Sequence, residues 1–149
     1  MNIVIDNSQR DLKIASKSVK KLISVFFAMM QIEPPEVIIH FVTKKKISAV
    51  HRDYFNDPSP TDCISFPIDH PNEKNPFILG EIFISPKVAL EYAREHDLDP
   101  YEEASLYLVH ALLHLLGYED TEKEKRIKMK KKEAKIHSYL KEKKSLLYP

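Results

Sequence analysis

The sequence predicts an α+β domain in which a small four-stranded mixed sheet packs against about five helices, one of them buried and carrying metal ligands. Three observations support this. Short strand-like apolar runs are interleaved with longer runs at helical spacing, proline and small polar residues mark the boundaries, and residues 106–116 are apolar on every side except at two histidines. With 149 residues, 43% of them hydrophobic and 30% charged, the chain is expected to form one domain over residues 1–149 around one core.

Each element has its own signal. Ile3 to Ile5 form a first strand. Ser8 is expected to cap a helix whose apolar positions Leu12, Ala15, Val19, Leu22, Ile23, Phe26, Phe27 and Met30 recur at helical spacing, and which ends before Pro34 and Pro35. Val37 to Val42 make the second strand. Thr43 opens a shorter helix with Ile47, Val50 and Tyr54 on one face, ended by Asn56, Asp57, Pro58 and Pro60. Strands follow near Asp62–Phe66 and Leu79–Ile84, joined by a polar loop through Asp69, Pro71, Asn72 and Asn75. Ser85 and Pro86 start a helix to about Glu95, and Asp99, Pro100 and Glu102 start the central one, which runs to Leu116. Thr121 with Glu124 reads as a capping box for the last helix.

Composition narrows the function classes. The longest apolar run is far too short to span a bilayer, and the N-terminus lacks the basic and apolar segments of a secretory signal. Cys63 is the only cysteine, so no disulfide framework is possible and a reducing cytoplasm is the expected compartment; its own reading is a small buried strand residue. Net charge is +1, yet residues 121–145 hold eleven Lys and Arg against four Glu. A basic helix of this kind, including Lys130, Lys131 and Lys132, suits an anionic partner such as RNA, although such runs are often only solvated faces.

The densest chemistry lies in HALLHLLGYED at 110–120. Residues four apart on a helix share a face, so His110 and His114 can converge on one ion. Gly117 stands where a helix commonly ends in a left-handed residue, and a turn there brings Asp120 back as a third ligand. Two imidazoles in so apolar a helix need polar partners or a metal. Three protein ligands leave zinc an open position for water, the mark of a catalytic rather than a structural site. Metalloproteases of similar spacing place Glu directly after the first His as general base; Ala111 stands there, so peptide hydrolysis lacks its proton acceptor and another hydrolytic substrate is expected.

HALLHLLGYED, together with PTDCISFP at 60–67, LGEIFIS at 79–85, and Met129 followed by Glu133, closely resembles the YbeY family of bacterial rRNA-maturation endoribonucleases. The resemblance runs from about Val37 to Leu140. It implies a zinc-dependent, single-strand-specific endoribonuclease of the cytoplasm, acting on the 3′ end of 16S rRNA, in ribosome maturation and in ribosome quality control. It implies one zinc ion held by His110, His114 and Asp120, with single-stranded RNA, 16S rRNA and the small ribosomal subunit as partners.

Two departures from the family pattern stand out. Asp120 replaces the usual third His, which keeps the ligand count but adds a negative charge, and Ala111 replaces the usual Gly. The family also commonly carries Arg after the Tyr of its pre-strand helix; Phe55 follows Tyr54 here, so that role passes to Arg52 or is absent. Ser65, at a strand end beside Phe66 and Pro67, is a candidate substrate contact or a capping hydroxyl, and Phe66 a core residue. Glu103 reads as a second carboxylate behind His110 or as a first-turn residue favoured by the helix dipole. His40, His51, His70, His96 and His137 match no ligand spacing. Two other functions fit the same residues: a non-catalytic ribosome assembly factor with a structural metal, and a small-substrate metallohydrolase.

Overall fold

The computed structural model describes residues 2–59, 61–69 and 78–149, so His70 and the polar loop expected through Pro71, Asn72 and Asn75 lie outside the described part. The elements are β1 (Ile3–Asn7), α1 (Ser16–Met30), β2 (Glu36–Phe41), α2 (Lys44–Phe55), β3 (Cys63–Pro67), β4 (Ile78–Ile84), α3 (Pro86–His96), α4 (Pro100–Leu115) and α5 (Lys123–Glu142). The sheet order is β1-β2-β4-β3. β1 and β4 run parallel to β2, and β3 runs antiparallel to β4, which makes the sheet mixed as expected.

Strand alternation divides the molecule into two unequal cores. Val37, Ile39, Phe41, Leu79, Ile82 and Ile84 face one side and pack with α1, α4 and α5, through residues such as Phe26, Leu108, Leu112 and Ile136. On the other side α2 sets Ile47 and Val50 against Val42 and Ile64 in a smaller cluster that Phe66 and Phe83 extend. Tyr54 does not join that face; it is 71% exposed, and its ring leans on Phe66 with centroids 5.0 Å apart.

Two expected helix starts are corrected, at Ser8 and at Thr121, and the Ser85–Pro86 start stands. Ser8 caps nothing, because the buried Gln9 organises a turn of its own: its Oε1 accepts from the Asp11 and Leu12 amides at 2.9 and 3.0 Å, and α1 starts only at Ser16. Leu12 still enters the core. Ser85 stands at the N-cap of α3 but makes no capping bond, and Pro86, which needs no amide partner, starts that helix. The Thr121–Glu124 box does not form; Glu122 holds the N-cap of α5 without a side-chain bond. Thr43 and Asp99 do cap, accepting from the Lys46 and Tyr101 amides at 3.1 and 2.8 Å.

Both glycines serve the end of α4. A Cβ on Gly80 of β4 would lie 2.6 Å from Leu115 Cδ2 and 2.6 Å from the Phe66 carbonyl oxygen, so the bare backbone there lets the helix end reach the sheet. Gly117 supplies the turn that follows, at φ +98.

Candidate metal centre

Asp99 caps α4, Pro100 takes its first turn, and Glu102 and Glu103 lie at the positive end of its dipole. Most of its circumference is buried, including Leu108, Val109, Ala111, Leu112, Leu113 and Leu115. The helix ends in a Schellman motif. The Tyr118 amide donates to the Leu113 carbonyl and the Gly117 amide to the His114 carbonyl, both at 3.0 Å, with Gly117 at φ +98. That turn aims the Tyr118 carbonyl back at the helix, where it accepts from His114 Nδ1 at 2.9 Å, and then carries Asp120 beneath the two histidines.

His110 Nε2 and His114 Nε2 lie 3.0 Å apart, with Asp120 Oδ2 3.7 Å from the first and 3.5 Å from the second. Their other ring nitrogens are occupied. A carbonyl oxygen can only accept, so His114 Nδ1 carries the proton and its Nε2 presents a lone pair. His110 Nδ1 donates to Glu133 Oε2 at 2.7 Å, which in the neutral ring leaves its Nε2 in the same state. Two lone pairs facing at such a distance repel unless a cation or a shared proton accepts them. Ligands held tetrahedrally at about 2.0–2.2 Å from zinc lie roughly 3.3–3.6 Å from one another, and the spacings seen here bracket that range. The donor set, with two neutral imidazoles and one carboxylate, suits zinc.

The histidines are not enclosed on all sides: His110 keeps 31% of its side-chain surface, His114 26% and Asp120 43%. A catalytic centre needs that opening. The Glu133 carboxylate beside His110 holds its imidazole above the ordinary histidine range against the opposing effect of burial, with Asp62 and Asp120 adding to the upward shift.

Two open spaces meet this centre. One, of about 510 Å³, is lined by His114, Gly117, Tyr118, Ser65, His51 and Phe55 among others, so Ser65 and His114 border the same space. The other, of about 560 Å³, lies on the His110 side and holds Asp62, Glu103, Tyr107 and Glu133. Burial pushes the Tyr107 hydroxyl well up there, with the Glu103 carboxylate adding to it, and the carboxylate bonded to His110 is Glu133. Burial likewise pushes the Cys63 thiol well up, with Asp62 adding to it, as suits an unreactive strand residue.

Arg52 is exposed, pairs with its neighbour Asp53 at 3.1 Å and is not among the residues lining either space. Lys130 and Lys131 are exposed on α5 and Lys132 is half-buried; among the described residues none of the three lines either of these two spaces. Lys125 and Lys128 line a separate, adjoining cavity with Leu116, Gly117, Tyr118 and Glu119, and Lys125 is paired to Glu119 at 2.8 Å. Sequence reasoning gave Glu133 no role because it lies on another helix. Its signal is an acid four residues after the buried Met129, on the inner face of an otherwise basic helix. His40, His96 and His137 stand elsewhere: His40 bridges Asp6 and Glu81, His96 bonds the Tyr92 carbonyl and His137 faces Glu102.

A family model described as Endoribonuclease YbeY matches residues 4–141. A protein named Endoribonuclease YbeY from Protochlamydia amoebophila is 48% identical over 136 residues, which is 91% of this chain and 90% of that one. Its namesake from Chlamydia felis is 40% identical over 151 residues, covering 99% and 96% of the two chains. The solution structure of a Thermotoga maritima protein is similar in fold, with a TM-score of 0.62 at 24% identity over 96% of this chain and 94% of that one.

Proposed function

The chain belongs to the YbeY family of endoribonucleases, and from that premise we propose that it is a zinc-dependent endoribonuclease that cuts single-stranded RNA, acting on the 3′ end of 16S rRNA in small subunits as they mature or are checked in the cytoplasm. The observation that carries this reading is the pair of imidazole Nε2 atoms 3.0 Å apart beside the Asp120 carboxylate, at the mouth of an open groove.

His110, His114 and Asp120 hold the ion, which when bound supplies a Lewis acid for phosphodiester hydrolysis. The chain's other groups orient and bind. Glu133 and the Tyr118 carbonyl fix both rings so that each offers Nε2. The groove admits a strand past His114, with the Ser65 hydroxyl on its wall. Lys125 and Lys128, in the adjoining cavity beside Gly117 and Tyr118, offer cations to the strand's phosphates without regard to sequence. With Ala111 after His110, the groove lacks the adjacent glutamate that peptide hydrolysis uses.

The test is turnover of one single-stranded RNA by metal-free, zinc-loaded and His114→Ala protein. Zinc should restore cleavage to the stripped parent and not to the variant. A stripped protein that cleaves as well as the loaded one contradicts the reading. Ribosome binding without cleavage under any metal condition would favour the assembly-factor role, and hydrolysis of small phosphoesters with RNA untouched the small-substrate one.

A further inference from the structure

The last turn of α2 leaves two aromatic rings in water: Phe55 is 53% exposed and its neighbour Tyr54 71%. Adjacent exposed rings forgo the gain of burial and mark a surface that something else covers. They are also held in place. Phe66 lies nearly parallel to Phe55, with centroids 6.0 Å apart and planes 19° apart, and meets Phe83 edge-on at 5.9 Å. His51 flanks the Phe55 ring at 5.7 Å. The outermost ring of this stack is therefore rooted in the sheet through Phe66 and Phe83, and its orientation is set before any ligand arrives.

Where the ring faces decides its partner. Phe55 and His51 line the same groove of about 510 Å³ that His114, Ser65 and Tyr118 line. The neighbouring cavity shares Gly117, Tyr118 and Glu119 with it and adds Lys128. The two adjoining spaces thus present an aromatic ring, a candidate metal ligand and a cation. A polynucleotide strand presents the matching series: a flat base, a phosphodiester, and a further phosphate. A folded protein covering the rings would close the groove over His114, whereas a single strand threads it.

We propose that Phe55 is the base-stacking platform of this groove, receiving one unpaired nucleobase of a single-stranded RNA next to the phosphodiester that is cut. This rests on the nuclease reading above and adds a physical source for strand specificity. A base in a duplex has both faces stacked on its neighbours and offers none to the ring; an unpaired base does. Every base has such a face, so the subsite tolerates any sequence. The ring carries no charge, so its contribution is independent of salt, unlike that of Lys128.

The experiment uses the full-length zinc-loaded protein and a short single-stranded RNA carrying 2-aminopurine at one position, moved along the strand. Stacking on Phe55 quenches the probe at one position with the parent and with Phe55→Trp, and not with Phe55→Leu, which keeps an apolar side chain against Phe66 and guards against a folding loss. The same Phe55→Leu change should raise KM roughly 5- to 150-fold, the usual worth of one base stack, with kcat and the salt slope little changed. An abasic nucleotide at the quenched position should remove the difference between parent and variant. Equal KM for Phe55→Leu and parent overturns the proposal, and so does a defect that persists with the abasic strand. Failure of the parent to cleave the RNA counts against the nuclease reading alone, because quenching needs no turnover and decides the subsite by itself.

Discussion

Glu133 does for this site what the ligand residues cannot do for themselves. It accepts from His110 Nδ1 at 2.7 Å with only 16% of its side-chain surface exposed, and so fixes both the tautomer and the ring direction. Glu133→Gln should weaken metal binding by about 10- to 100-fold at alkaline pH, read by competition with a chelator. Below that range the sign is set by His110, whose pKa stands above the ordinary value chiefly because of this same carboxylate. A raised pKa means that protons compete for Nε2 from a higher pH downward in the parent than in the variant, so the affinity gap should narrow on acidification through about pH 6.5. A gap of constant size would show that Glu133 acts only as packing.

At the scale of elements, the centre depends on how α4 stops. Its start and course were legible: Asp99, Pro100 and the all-apolar surface broken only by histidines pointed to the helix, and Gly117 to its end. Other boundaries were not, because they rest on contacts between distant side chains. The Ser8 signal is overridden by Gln9, whose amide satisfies the backbone groups of residues 11 and 12 and delays α1. Glu133 is drawn to His110 by the packing of α5 on α4, with Met129 and Ile136 in the core, and no spacing within either helix encodes that pair. Phe55 looked like a lost basic residue, and only the fold shows it opening on the groove. Gly117→Ala places a side chain at φ +98 and should destabilise the protein by about 1–3 kcal/mol. Because that turn positions both the Tyr118 carbonyl and Asp120, the variant should lose metal affinity as well, measured beside thermal unfolding. Stability lost with metal affinity untouched would separate the turn from the site.

Across the whole molecule, charge is distributed by task. The chain carries a net charge of only +1, with its Lys and Arg concentrated in α5, and no helix among the described residues is long and apolar enough to cross a membrane. Lys128 borders the cavity next to the centre, whereas Lys130 and Lys131 are exposed and do not line it. Affinity for a short single-stranded oligonucleotide should therefore lose about one unit of salt slope in Lys128→Gln. Replacing Lys130, Lys131 and Lys132 together should leave that slope nearly intact and instead weaken binding to the small subunit, whose surface is large enough to reach the outer face of α5. Equal effects on both ligands would mean that α5 acts as one undivided basic surface.

All of this turns on a single metal held by two helical histidines and one returning aspartate. The most direct measurement is the zinc content of the purified protein after equilibrium dialysis, compared with His110→Ala, His114→Ala and Asp120→Ala, each first shown by circular dichroism to be folded. The parent should hold about one equivalent and each variant markedly less. Parent protein with no zinc, or a His114→Ala protein with a full equivalent, would contradict the account; full retention by Asp120→Ala alone would hand the third position to Glu119 or to water.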